Sequence, residues 1–225
     1  MLKYAIIVAG GSGSRMGGSL PKQFMLLKGK PLLWFTISAF IDAYDDMQII
    51  LVLPEMFVEN GTQIAKEFPY NRIKITTGGT TRFHSVKNGL RLVDNHAIVF
   101  VHDGVRCLVT PELIRRCGTA AIEYGNAVPA IAATDTIRVE TPSGNEFIDR
   151  NKAYMIQTPQ TFFSNDIKNA FEQEYLESFT DEANVVEKTG VKIYLVEGEQ
   201  NNIKITRPLD LLIAENILDN LVKYD

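Results

Sequence analysis

Cysteine is scarce: Cys107 and Cys117 are the only two in 225 residues. They form no C-x-x-C pair and no set with metal-ligand spacing, so they read as ordinary thiols of a reducing compartment. No apolar run approaches the roughly 20 residues of a membrane span. The opening Met1-Leu2-Lys3-Tyr4 passes straight into an apolar strand and leaves no room for a signal peptide, so a cytoplasmic protein is expected. An excess of basic charge is missing too. With 23 basic against 27 acidic residues, a net charge of −4, the chain lacks the overall basicity of a nucleic-acid binder, and its clustered cations point to small anions. Two common nucleotide-binding signatures are also absent. A G-x-G-x-x-G run starting at Gly11-Ser12-Gly13 meets Met16 where its third glycine belongs, and no G-x-x-x-x-G-K-[ST] occurs.

What is present is a glycine-rich loop after an apolar strand. Tyr4-Ala5-Ile6-Ile7-Val8 suits a strand covered on both faces of a parallel sheet, and a tight loop must follow it. In Ala9-Gly10-Gly11-Ser12-Gly13, the glycines admit unusual dihedrals and let backbone N–H groups approach an anion. Arg15 and Lys22 bracket that loop, as a highly negative ligand such as a nucleoside triphosphate would require. A flexible Gly/Ser turn with solvated Arg and Lys is the plainer alternative.

The rest of the chain alternates strands and helices, and its 45% hydrophobic content fits one α/β domain spanning 1–225. Helices are expected over 31–43, 57–68, 111–124, 165–175 and 208–222, with another opening at Thr180 or Asp181. Strands are expected over 48–53, 73–76, 97–101, 127–132, 154–157 and 191–196. Trp34 belongs to helix packing. Gly78-Gly79, followed by Arg82 and Ser85 early in a helix, suits a polar ligand edge, although a plain strand-to-helix turn would look the same. Asp103 ends an apolar strand, where an open α/β sheet binds ligands, and is the candidate to hold Mg²⁺ against phosphate oxygens; its rival role is to cap the next turn. His84 is read as having no special role, and His102 as packed and hydrogen-bonded. Around Thr141-Pro142-Ser143-Gly144-Asn145 the rhythm breaks into a β-hairpin over about 136–150, an arm suited to pairing two subunits, so that Arg150 could serve a neighbour's pocket. Thr158 and Thr180 alone would be turn or cap residues, and Lys204, opposite Ile203 and Ile205 by alternation, a solvated lysine.

Taken together these segments resemble the 2-C-methyl-D-erythritol 4-phosphate cytidylyltransferases of isoprenoid precursor synthesis. The resemblance rests on the glycine loop through Arg15-Met16, Pro21-Lys22-Gln23-Phe24, Gly79 with Arg82 and Ser85-Val86, His102-Asp103, Asp135-Thr136, Asp149-Arg150, Gln157-Thr158-Pro159-Gln160, Thr180-Asp181-Glu182-Ala183, and Asn202 through Pro208. It implies a three-layer Rossmann-like nucleotidyltransferase fold with a mostly parallel sheet and a projecting arm. It also implies CTP as co-substrate, a sugar-alcohol phosphate as acceptor, Mg²⁺ or another divalent cation, and a homodimer through the arm. By the same resemblance, Arg15 and Lys22 stabilise the transition state, Arg150 and Lys204 position the acceptor phosphate, and Asp103 holds the metal. Ala9, Gly10, Gly11, Gly13, Gly79, Arg82, Ser85 and Gly104 bind CTP, while Arg106, Thr136, Arg150, Thr158 and Thr180 line the acceptor side.

Two departures stand out. Gly104-Val105 and Cys107 replace the family's frequent Ala-Ala and Pro around Arg106, which leaves the loop's stiffness open. Thr80 replaces a frequent aspartate, losing an acidic contact near the nucleotide. A ribitol-5-phosphate cytidylyltransferase and a non-catalytic nucleotide-binding regulator are the competing functions.

Overall fold

The computed structural model describes residues 1–10 and 21–221. In chain order the strands are β1 (Lys3–Val8), β2 (Leu26–Leu27), β3 (Lys30–Pro31), β4 (Met47–Leu53), β5 (Ile73–Thr77), β6 (Ile98–Asp103), β7 (Asn126–Ala132), β8 (Ile137–Thr141), β9 (Gly144–Ile148), β10 (Tyr154–Ile156), β11 (Gln160–Phe163) and β12 (Leu195–Glu197). The helices are α1 (Leu32–Ala43), α2 (Val58–Ala65), α3 (Arg82–Leu90), α4 (Pro111–Tyr124), α5 (Ser164–Ala170), α6 (Glu182–Glu187) and α7 (Pro208–Leu221).

Apolar residues occupy both parities of β1, and the fold uses both. Ala5 and Ile7 pack with Leu33, Ile37, Phe40, Leu51, Phe100 and Ile114 under α1 and α4. Tyr4 and Ile6 face the other way, onto Val86, Leu90, Phe162, Ile167 and Val185 of α3, β11, α5 and α6. Helices therefore cover a central sheet on both faces, giving the three layers expected of a buried parallel sheet.

The sheet runs β5-β4-β1-β6 in parallel. β11 lies antiparallel between β6 and β7. β7 consequently points the same way as β6, with β12 parallel on it and β10 antiparallel. Between Ile156↔Ala130 and Thr161↔Ala127 the β10–β11 line advances more residues than β7 does. The excess is a bulge at the cis-linked Thr158-Pro159, directly over the end of β6.

Four expectations needed correction. The helix expected over 165–175 stops at Ala170, because Gln173 Nε2 caps the Ala170 carbonyl and also bonds that of Val185, while Phe171 turns inward to stack on Phe83. The strand expected over 191–196 pairs only at 195–197; upstream, the side-chain amide of Asn126 takes the ladder's place, bonding the Lys192 carbonyl and the Tyr194 N–H. β11 was not foreseen at all. The hairpin turns on Pro142-Ser143 alone, with Thr141 opposite Gly144, whose φ of +135° requires glycine.

The loop after β6 is well tied despite its unusual residues. Gly104 N–H bonds Val8 O, Arg106 N–H bonds Asp103 O and Ile205 N–H bonds Val105 O. Cys107 is buried with Leu27, Leu32, Leu108, Ile205 and Ala214, and burial pushes its thiol up to about 12, as it does that of Cys117. Both cysteines are free.

Candidate active site

β1, β4 and β6 end in register, with Val8 beside both Val52 and Asp103. The N-terminus of α3 meets this edge, capped by Thr81, whose Oγ1 accepts from His84 N–H. The turn between β5 and α3 is pressed against the helix: a Cβ on Gly79 would lie 2.4 Å from the Cβ of His84, so only glycine fits there. Ser85 Oγ accepts from Gly79 N–H at 3.1 Å and donates to Thr81 O at 2.9 Å, so its donor is spent within the turn. Where the family's acidic residue is replaced, Thr80 bonds the His84 ring instead. Beside Gly10, Ala9 N–H bonds Val52 O and its carbonyl accepts from the buried amide of Gln23. That bond ties the 3-10 turn 22–24, and with it Lys22, to the end of β1. Gly11, Gly13 and Arg15 lie outside the described residues.

Asp103 is the centre of the charge. Its Oδ2 meets Lys204 Nζ at 2.8 Å and Arg106 Nε at 3.7 Å, while Oδ1 accepts from Arg82 Nη2 at 3.2 Å and Nε at 3.3 Å. Burial alone would raise this carboxyl, but Arg82, Lys204 and Arg106 overrule it and hold it far below the usual carboxylate range. Arg82 also forks onto Glu182, Nη2 to Oε2 at 3.0 Å and Nη1 to Oε1. Burial pulls against the guanidinium's charge, yet Glu182 and Asp103 together lift its pKa. Glu182 itself is pushed upward by burial, against which the bidentate Arg82 pulls.

Three buried polar side chains set the position of Asp103. Thr158 Oγ accepts from the Asp103 N–H at 3.1 Å and meets His102 Nδ1 at 2.9 Å. His102 Nε2 lies 3.1 Å from the Arg106 carbonyl, which can only accept, so Nε2 carries the proton. Burial lowers His102 to about 4, so the ring is neutral and Thr158 donates to Nδ1. Asn202 Nδ2 then bonds the Thr158 carbonyl, and Arg106 Nη1 bonds the Asn202 carbonyl. This carries the chain to Lys204, while Ile205 is fully buried on the opposite side, as alternation requires.

The remaining sequence candidates sit differently. Gly104 is buried with its N–H spent on Val8 and its carbonyl accepting from Thr36, so its backbone is part of the packing. Thr136 and Arg150 are exposed near the base of the β8–β9 hairpin, Arg150 donating to Thr134 O at 3.0 Å. Thr180 is exposed beside Asp181, which caps α6 in its place. None of these three bonds the Asp103 cluster. Sequence reasoning gave no role to Glu182, Gln160 or Asn202; the signal available was their place inside motifs that carry the family resemblance.

No group of three or more His, Cys, Asp or Glu side chains suited to a metal occurs among the described residues. One carboxylate at a strand end fits Mg²⁺ in the mode where phosphate oxygens and water supply most ligands. Nor is any helix, among the described residues, long and apolar enough to cross a membrane.

A parallel-sheet edge with glycine turns, and with cations gathered on a single aspartate, is the build of a nucleotidyltransferase. Residues 3–220 match the family model described as 2-C-methyl-D-erythritol 4-phosphate cytidylyltransferase, and the chain belongs to that family. A relative of that name from Bacteroides fragilis is 47% identical over 219 residues, covering 97% of this chain and all of its own length. The 4-diphosphocytidyl-2C-methyl-D-erythritol synthase structure from Anaerococcus prevotii superposes with a TM-score of 0.85 at 28% identity, over 97% of this chain and 96% of that one. The Thermus thermophilus 2-C-methyl-D-erythritol 4-phosphate cytidylyltransferase gives 0.75 at 30% identity, over 96% and 98%.

Proposed function

We propose that the chain transfers a cytidylyl group from CTP to 2-C-methyl-D-erythritol 4-phosphate, a step of isoprenoid precursor synthesis. The acceptor's phosphate oxygen attacks the α-phosphorus; the new P–O bond forms as the bond to the bridging oxygen breaks, and pyrophosphate leaves with the electron pair. A phosphate oxygen is already nucleophilic at neutral pH, so neither a general base nor a covalent intermediate is required. The difficulty is bringing two anions together. Like unit charges at 4 Å repel by about 4 kcal/mol at an effective dielectric of 20. The observation that carries the reading is the set of three cations, Arg82, Arg106 and Lys204, around Asp103 at the open sheet edge.

In this reading the backbone of Ala9, Gly10, Gly11, Gly13 and Gly79, with Arg82 and Ser85, binds CTP. Arg15 and Lys22 stabilise charge developing on the triphosphate. Lys204 receives the acceptor phosphate, and Arg106 braces that side. Asp103 would hold a divalent cation, which supplies Lewis-acid neutralisation of the phosphate oxygens. Thr158, buried on the Asp103 backbone, acts by holding Asp103. Arg150, Thr136 and Thr180 reach the acceptor pocket of a second copy. Supporting such a homodimer, the β8–β9 hairpin, among the described residues, pairs only with itself and exposes Val139, Phe147 and Ile148, next to exposed Tyr154 and Met155. The chain then works as one catalytic unit with an arm at about 136–150, and its free buried thiols suit the cytoplasm.

The test is pyrophosphate release from CTP and Mg²⁺ with each acceptor. Turnover is expected with 2-C-methyl-D-erythritol 4-phosphate; faster turnover with ribitol 5-phosphate, or none with either, would sink this reading.

A further inference from the structure

Glu182 is only 1% exposed, so its carboxylate is closed off from solvent. Both of its oxygens are committed to Arg82. It stands in the first turn of α6, where the helix end favours a negative charge, and that turn is clamped from β11: Gln160 Nε2 donates to Asp181 Oδ2 at 2.9 Å and its Oε1 accepts from Ala183 N–H at 2.7 Å. A rigid path thus runs from the sheet through Gln160 and Glu182 to Arg82, and ends on Asp103. Stability does not explain it, because a buried ion pair is commonly matched or bettered by apolar residues of the same volume.

We propose that Glu182 is a positioning residue for nucleotide binding. It takes the Nη1/Nη2 edge of the Arg82 guanidinium, which leaves Nε and Nη2 to Asp103, and divides the cation's pull between two carboxylates. Without it, the whole attraction of Arg82 falls on Asp103, and the guanidinium collapses onto the carboxylate that a cation-bound triphosphate needs. This rests on the reading above that Arg82 and Asp103 serve CTP.

The experiment measures calorimetric binding of CTP with Mg²⁺, and steady-state kinetics, for the full-length wild type, Glu182→Gln, Glu182→Asp, Arg82→Met and the double variant Arg82→Met/Glu182→Gln. Loss of such a supporting partner typically weakens binding about tenfold or more. In Glu182→Gln, the Kd and KM for CTP are expected to rise by about that factor, while kcat and the acceptor KM stay within about threefold. Glu182→Asp, which keeps the charge but withdraws it by one methylene, should lie between. In the Arg82→Met background, Glu182→Gln should change CTP binding no further.

Unchanged CTP affinity in folded Glu182→Gln, or the same loss with and without Arg82, overturns the proposal. If Glu182→Gln does not fold, Glu182→Asp decides: weakened CTP binding at an unchanged acceptor KM supports it, and wild-type CTP binding overturns it. A wild type that binds no CTP overturns the functional reading itself, and this proposal with it.

Discussion

Replacing Thr158 by valine keeps the shape of the side chain and removes its hydroxyl, which separates two roles the residue could have. The hydroxyl is buried, accepts from the Asp103 N–H at 3.1 Å and meets His102 Nδ1 at 2.9 Å. The substitution therefore leaves one buried donor and one buried acceptor without partners. At about 1–3 kcal/mol for each unsatisfied group, the expected loss is about 2–6 kcal/mol. For a chain of this length, that lowers Tm by roughly 4–24 °C. Thr158→Ser keeps both bonds and should cost about 1 kcal/mol, for the lost methyl. The assay is thermal and denaturant unfolding of the three proteins, with acceptor KM measured alongside. A Thr158→Val protein within about 1 kcal/mol of wild type but with a raised acceptor KM would refute the positioning argument and return Thr158 to the acceptor pocket.

The neighbouring His102 makes stability depend on pH. Its pKa is about 4 in the fold against 6.5 when exposed, so between those values only the unfolded chain takes up the proton. Stability should fall as pH drops from 6.5 to 4, by about 3 kcal/mol in all, and be indifferent to His102 above that window. Urea titrations from pH 4.5 to 7.5 check this, with the slope reduced in His102→Asn by the histidine's share. Lys22→Ala should lower kcat by about 100-fold or more while shifting CTP Kd much less, since the proposed role puts its work in the transition state; equal losses in both would assign it to ground-state binding. Replacing the hairpin tip, residues 140–145, with a short glycine linker should yield monomers in light scattering, and an unaltered dimer mass rejects the arm as the interface.

The parallel half of the sheet was legible because β1, β4 and β6 are apolar on both parities, and because strand ends are where such sheets bind ligands. Asp103, Lys204 and Arg82 followed from that geometry together with the family resemblance. β11 was not legible: Gln160 and Thr161 are polar but buried, and what makes them a strand is pairing with β6, some 60 residues upstream. The same holds for Arg82 and Glu182, one hundred residues apart. Neither stretch alone points to the other, and their meeting depends on how α3 and α6 pack on one face of the sheet. Nor does the sequence show where the Thr158 hydroxyl points: a bulge between two strands turns it toward the backbone of Asp103.

The placement of β11 also governs the order in which the protein can be completed. β6 is finished at residue 103, with every residue buried in the end, but its second neighbour is made only at residues 160–163. At synthesis rates of roughly 5–20 residues per second, an apolar edge waits several seconds on the ribosome with its N–H and C=O groups unpaired. Until then it is open to a stray strand from another chain. The aspartate that the fold later surrounds with cations sits at the end of that edge. The candidate site is therefore among the last parts of the sheet to be closed, and protection of the nascent edge during those seconds bears directly on how much folded protein a cell obtains.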